Sequence, residues 1–172
     1  MKLLTIDSNG KLEIIPELLG ISPFSEIWSL DKTKTKEEAY KNCKYIWFFA
    51  DYDSPYFQYS EEDRHKYIIT DVIKDAKYKP SKEVEKGIVK YTQLNTTPAM
   101  KLLESAYGAI FKMDDYFKNV DFAEDDIDKV TRSIIAMPKM IAAINEAKEL
   151  CKKEQSSGIK VRGGASTGLY EG

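Results

Sequence analysis

Within "FFADYDSPYFQYSEEDRH", residues 51–62 carry the residue types and spacing that come nearest to an ion-binding loop. Asp51, Asp53, Tyr59 and Glu62 fall at positions 1, 3, 9 and 12 of a twelve-residue calcium window. Such a loop also needs an oxygen ligand at position 5 and a glycine at position 6, where the chain turns sharply. Pro55 and Tyr56 stand there instead. The stretch therefore predicts a metal-free turn, in which Asp and Ser side chains bond back to the backbone and Pro fixes φ.

Other reactive residue types do not assemble into a site. His65 is the single histidine and sits between Arg64 and Lys66 on a charged helix face, which suits a solvated or hydrogen-bonded surface role. Cys43 and Cys151 are lone thiols without a CxxC, as in a protein made in a reducing compartment. One histidine and unpaired cysteines leave no Ser-His-Asp, Cys-His or zinc constellation within one chain. The acidic run "EDDID" (Glu124, Asp125, Asp126, Asp128) and the ExxE pair Glu146 and Glu149 invite comparison with all-α metal hydrolases, but no ExxD partner is found. Acids at a helix start complement its dipole, as Lys148, Lys152 and Lys153 do at the far end. "VRGGASTG" lacks the GxxxxGK[ST] pattern of a phosphate loop. No cofactor and no metal is expected.

The elements that would position these residues are mostly helical. A chain of 172 residues, 42% hydrophobic and 31% charged, reads as one soluble domain with a real core. The net charge of −2 argues against a general nucleic-acid binder. "YIWFFA" at 45–50 is too short to span a membrane, and "MKLLTIDSNG" does not read as a secretory leader. "KLLTID" and "KLEIIP" flank an Asn-Gly turn and predict a hairpin over 1–16. Gly20 and Pro23 interrupt the next stretch, which Phe24, Ile27 and Trp28 pin to the body. Helix starts follow at Thr35 with Glu38, Ser60 with Asp63, Pro80–Ser81, Thr97 with Pro98, and Asp121 with Glu124. In the helix after Thr97, Leu103, Tyr107, Ile110, Met113 and Phe117 form the apolar stripe.

The last helix has a seam of Ile127, Val130, Ile134, Met137, Ile141 and Ile144, at alternating steps of three and four, for lengthwise packing on a neighbour. If it ends near Lys153 it is about 45 Å long, and Pro138 should kink it. The fold class is thus mainly α: a bundle of about five helices over 1–155, a small N-terminal β-hairpin, and an extended Gly-rich C-terminal arm over 156–172. Five glycines in the last fifteen residues make that arm a segment to be ordered on a neighbouring chain.

Ten of the twenty aromatic residues lie between Tyr40 and Tyr67. Two readings stand. The cluster is a mixture of core and surface, or it is a subunit interface, with Trp47, Tyr52, Tyr56, Phe57 and Tyr59 as anchors, since Tyr and Trp bury large area behind a polar tip. In the arm, Lys160, Arg162, Leu169 and Tyr170 are further interface candidates.

The block "CKYIWFFADYDSPYFQYSEEDRHKYIITDVI" (43–73) resembles segments of the neck and tail ring proteins of crAss-like tailed bacteriophages in its Lys- and Tyr-rich, alanine-poor texture and its "SPY" turn. The resemblance covers about 30 residues and carries over no functional residue. It implies a non-enzymatic virion protein, a homo-oligomeric ring of about twelve copies that joins the portal to adjacent neck and tail proteins. DNA would pass through its channel without sequence-specific binding, with no membrane involved. The alternative from another class is an intracellular helical adaptor or regulator that binds one partner chain; an acidic-residue metal hydrolase comes third.

Overall fold

The computed structural model describes residues 3–7, 10–120 and 124–163, with the backbone alone at 124–126 and 155–163. It is mainly helical with one two-stranded antiparallel hairpin. Where the sequence suggests one domain over 1–155, the chain gathers into two compact units that divide between Thr96 and Thr97. None of the helices, over the described residues, is long and apolar enough to cross a membrane.

In the first unit, β1 (Leu4–Ile6) pairs with β2 (Leu12–Ile14), Leu4 opposite Ile14 and Ile6 opposite Leu12. The connecting loop closes on Asp7, which accepts the Lys11 N–H through its carboxylate, and Gly10 takes the positive φ of 75° that favours glycine there. Leu4 and Leu12 point into the core. A 3-10 turn at Pro16–Gly20 buries Leu18, and α1 (Phe24–Leu30) buries Phe24 and Ile27 with Trp28 half-buried, so the segment bounded by Gly20 and Pro23 is pinned as expected and also helical.

α2 (Glu37–Ala50) is the centre of this unit. Both strands, α1, α3 (Glu61–Tyr67), the π-helical turn Ile68–Ile73 that continues α3, and α4 (Lys82–Asn95) all pack on it. It buries Ala39, Cys43, Tyr45, Ile46, Trp47 and Ala50, residues that cover most of its circumference. Its start differs from the expected Thr35–Glu38 box. Asp31, eight residues upstream of Ala39, accepts the Ala39 N–H at 3.0 Å and the Thr33 N–H and hydroxyl at 2.9 and 2.6 Å. Lys36, the residue before the helix, is held in the left-handed region (φ 55°), with its ammonium bonded to the carbonyls of Trp28 and Asp31. The other caps follow local chemistry: Ser60, Ser81 and Thr97 each accept the N–H three residues on, at 3.2, 3.4 and 3.3 Å.

α4 comes close enough to α2 that a Cβ built on Gly87 would lie 2.6 Å from Ile46 Cδ1, and Ile46 is fully buried. A side chain there would push the buried Ile46 aside, because two helices meet at this point.

The second unit is a helical hairpin, α5 (Pro98–Asn119) and α6 (Glu124–Gly163). α6 runs without interruption through Pro138 and about 60 Å in length at 1.5 Å per residue, past the expected end near Lys153. The expected arm, 156–172, is therefore helical in backbone through Gly163, and 164–172 lie outside the described residues. So does Asp121, half of the expected cap of this helix.

Two measurements check these contacts. Gly87→Val, assayed by urea unfolding, should cost about 1–3 kcal/mol, since overpacking costs that much and Val recovers less helix propensity than Ala would. The second concerns Asp31, whose carboxyl is lowered from 3.8 to about 2, first by the Thr33 hydroxyl and then by the Ala39 and Thr33 N–H groups. A depressed folded-state value stabilises at pH above 3.8, and that stabilisation is lost as pH falls through 3.8 toward about 2. Asp31→Asn should lower the melting temperature at neutral pH and show a shallower loss of stability across that acid window than the parent chain.

Candidate assembly surface

The turn at 51–62 is built from the inside. Asp51 is buried and its Oδ2 accepts the Tyr91 hydroxyl of α4 at 2.6 Å, while its Oδ1 accepts the Asp53 N–H at 2.9 Å. Ser54 Oγ donates to the Phe48 carbonyl at 2.5 Å and accepts the Tyr56 N–H at 3.2 Å. Arg64 of α3 closes the turn: its guanidinium donates to the carbonyls of Phe49 and Phe57 at 2.8 Å and of Tyr59 at 3.1 Å, and lies over the Phe49 and Phe57 rings. The Asp51 oxygens, first ligand of the supposed cation loop, thus bind backbone and phenol. Burial, and then the Asp51 charge, push the Tyr91 phenol far above its ordinary value, so it remains a donor. Among the described residues, no group of three or more His, Cys, Asp or Glu side chains is placed to hold a metal ion.

His65 Nδ1 lies 2.5 Å from the Tyr45 hydroxyl, in a hydrogen bond. Tyr45 is buried and its phenol is pushed up to about 12 by burial and by Glu85. Cys43 is likewise raised to about 12 by burial, and Cys151 is buried on α6.

The aromatic cluster divides. Trp47, Tyr52 and Phe57 are buried, which leaves little of them to anchor another subunit; Trp47 belongs to the core around α2, on which six elements pack, and the Arg64 guanidinium lies over the Phe57 ring. Tyr56 is half-buried, packed on Phe48 at 5.6 Å and bonded to Asp71, and Tyr59 is exposed beside Tyr67 at 5.0 Å. Lys160 and Arg162 sit on helical backbone whose side chains are not described, and Leu169 and Tyr170 lie outside the described residues.

Among the described residues, much of the exposed aliphatic surface lies on α6. The helices of the hairpin are antiparallel: Glu154 Oε2 accepts the Ala99 N–H at 3.4 Å, while Phe117 and Met137 line one cleft farther along. Val130, Ile144, Ala147 and Cys151 are buried against α5. Ile127, Ile134 and Ile141 are not; they are 49%, 54% and 56% exposed. The single seam read from the sequence is therefore two rows about 50° apart, by the heptad wheel. On the other flank Ala143 and Leu150 are exposed and Ala136 is half-buried. Between the helices a cleft of about 320 Å³ opens, lined by Phe111, Met113, Phe117, Met137, Met140 and Ile141.

No protein-family model, no curated protein and no solved structure matches the chain.

Tyr91→Phe should cost about 1–3 kcal/mol in denaturant unfolding, because the buried Asp51 carboxylate loses a charge-assisted donor. Asp51→Asn, which keeps a hydrogen-bonding oxygen at the site, should cost less.

Proposed function

We propose that the chain is a non-catalytic structural subunit that works by associating with copies of itself, as one member of a ring in the neck or tail of a tailed bacteriophage, between portal and tail around the DNA channel. The observation that carries the self-association is the stretch of α6 from Ser133 to Ala147. On a helical wheel most of its apolar residues run through four adjacent rows of seven, Ala136 and Ala143, then Met140 and Ala147, then Met137 and Ile144, then Ile134 and Ile141, while Ile135 and Ala142 lie on a separate row. A helix apolar over so much of its circumference belongs inside a bundle. Ile144 and Ala147 of the middle rows are buried, while Ile134, Met137 and Ile141 are exposed. Burying an isoleucine side chain fully is worth about 1.5–3 kcal/mol, so Ile127, Ile134 and Ile141, each about half exposed and about two turns apart on one row, favour association. The ring and its place in the particle come from the likeness of residues 43–73 to such proteins and from nothing in the geometry.

Negative-stain micrographs of the purified full chain, with mass photometry over a concentration series, test the reading. Closed rings, or a mass of several chains that persists on dilution, are the expected result. A monomer at every concentration up to the solubility limit overturns self-association, and a single compact dimer overturns the ring.

A further inference from the structure

We infer that a groove on the first unit, between the hairpin loop, α2 and the π-helical turn, is a binding site for a small amphiphilic anion, an anionic head on a short apolar body. The inference stands apart from the self-association proposed above.

The groove has a volume of about 350 Å³, within the range of about 300–1,000 Å³ usual for small-molecule sites. α2 supplies one wall with Glu37, Tyr40, Lys41 and Lys44, which at steps of three, one and three share one helical face. That face runs about 10 Å along the axis, the reach of a small molecule rather than of a polymer. Leu12 of β2, with Val72 and Ile73 of the π-helical turn, gives the groove an aliphatic lining, and the exposed Tyr40 ring flanks it.

The charges that line it are unequal. Lys11, Lys41 and Lys44 stand against Glu37 alone, in a chain whose net charge is −2. Lys41 is committed to Asp75 at 3.1 Å and lies over the Tyr78 ring. Asp7 turns its carboxylate into the hairpin loop, where it accepts the Lys11 N–H at 2.8 Å. Among the described residues, the Lys11 and Lys44 ammonium groups form no ion pair, and Lys44 is half-buried. An ammonium partly taken out of water gains from a counter-ion, and a charge-assisted hydrogen bond to an entering anion supplies one. Glu37 stands two turns from Lys44 and repels an anion from its own end. The head therefore belongs at the Lys44 end, with the body along Leu12, Val72 and Ile73.

The backbone marks the same place by a separate route. Among the described residues, three take a positive φ: Gly10 at 75°, Lys36 at 55° and Lys74 at 55°. Gly10 lines the groove, Lys36 precedes Glu37 and Lys74 follows Ile73. The left-handed region is unfavourable for a residue that carries a Cβ. The π-helical turn is itself a rare element that recurs at functional sites. Backbone held in unfavourable conformations gathers where a fold shapes a binding surface, and here three such positions and the π-helical turn border one groove.

Equilibrium dialysis of the full chain against radiolabelled octanoate, with octan-1-ol as the uncharged counterpart, decides it. Octanoate should bind at one site per chain with a dissociation constant below about 1 mM at low salt, and octanol at least about tenfold more weakly. Lys44→Gln should weaken octanoate by about tenfold and Lys11→Gln several-fold, each with helical circular dichroism unchanged. Glu37→Gln should tighten it. Absence of octanoate binding up to about 10 mM overturns the inference. Equal binding of octanol does the same, since it makes the groove merely apolar. Octanoate binding that ignores both lysine substitutions places the ligand elsewhere, as in the α5–α6 cleft, and overturns it too. If Lys44→Gln loses helical signal, Lys11→Gln carries the test, because Lys11 is exposed; unchanged binding there overturns the inference.

Discussion

The first unit depends on one close approach. α2 is wrapped on nearly all sides, and α4 can reach it only because Gly87 has no side chain to meet Ile46. Once those helices are in contact, Tyr91 of α4 arrives beneath the end of α2 and bonds to Asp51. That bond fixes where α2 stops, and so where the turn to α3 begins. Arg64 then gathers three carbonyls of the turn. A single van der Waals constraint thus propagates through a buried phenol to a loop that begins forty residues before Tyr91.

The two units are stabilised by different means. Around α2, polar side chains act as struts to the backbone: Asp31 at the start of the helix, Asp51 and Ser54 at its end, Arg64 across the turn. Such bonds have fixed geometry, and they hold a surface that is closed. The hairpin has an aliphatic and Met-rich face with few struts, Glu154 to the α5 start being the clearest. Apolar contact has no preferred direction.

What the sequence reveals follows the range of the interactions. Ser60, Ser81 and Thr97 were legible as caps because each acts within three residues. Asp31 was not, since it caps a helix eight residues on, across a loop whose closure local pattern does not encode; the only local signal is the Asp-x-Thr turn at Asp31–Thr33. The π-helical turn at Ile68–Ile73, ended by Lys74 in the left-handed region, has no sequence mark that the periodicity exposed. The aromatic cluster misled because its burial was reckoned against one helix pair, whereas strands, α1 and α4 also cover α2. The α6 seam was found but read as one row, since rows 50° apart on a wheel merge in a three-four pattern. Which of them α5 would cover depends on how the hairpin packs.

Both tryptophans, Trp28 and Trp47, lie on α1 and α2, while α5 and α6 contain more than half of the helical residues but only tyrosine and phenylalanine as chromophores. Intrinsic tryptophan emission therefore reports the first unit alone, and far-ultraviolet ellipticity is weighted toward the hairpin. The two optical signals separate the units without any label. If they trace different transitions along a denaturant axis, the chain melts in two steps and no single free energy describes it. If they coincide, the division in the contacts is one of geometry and not of cooperativity.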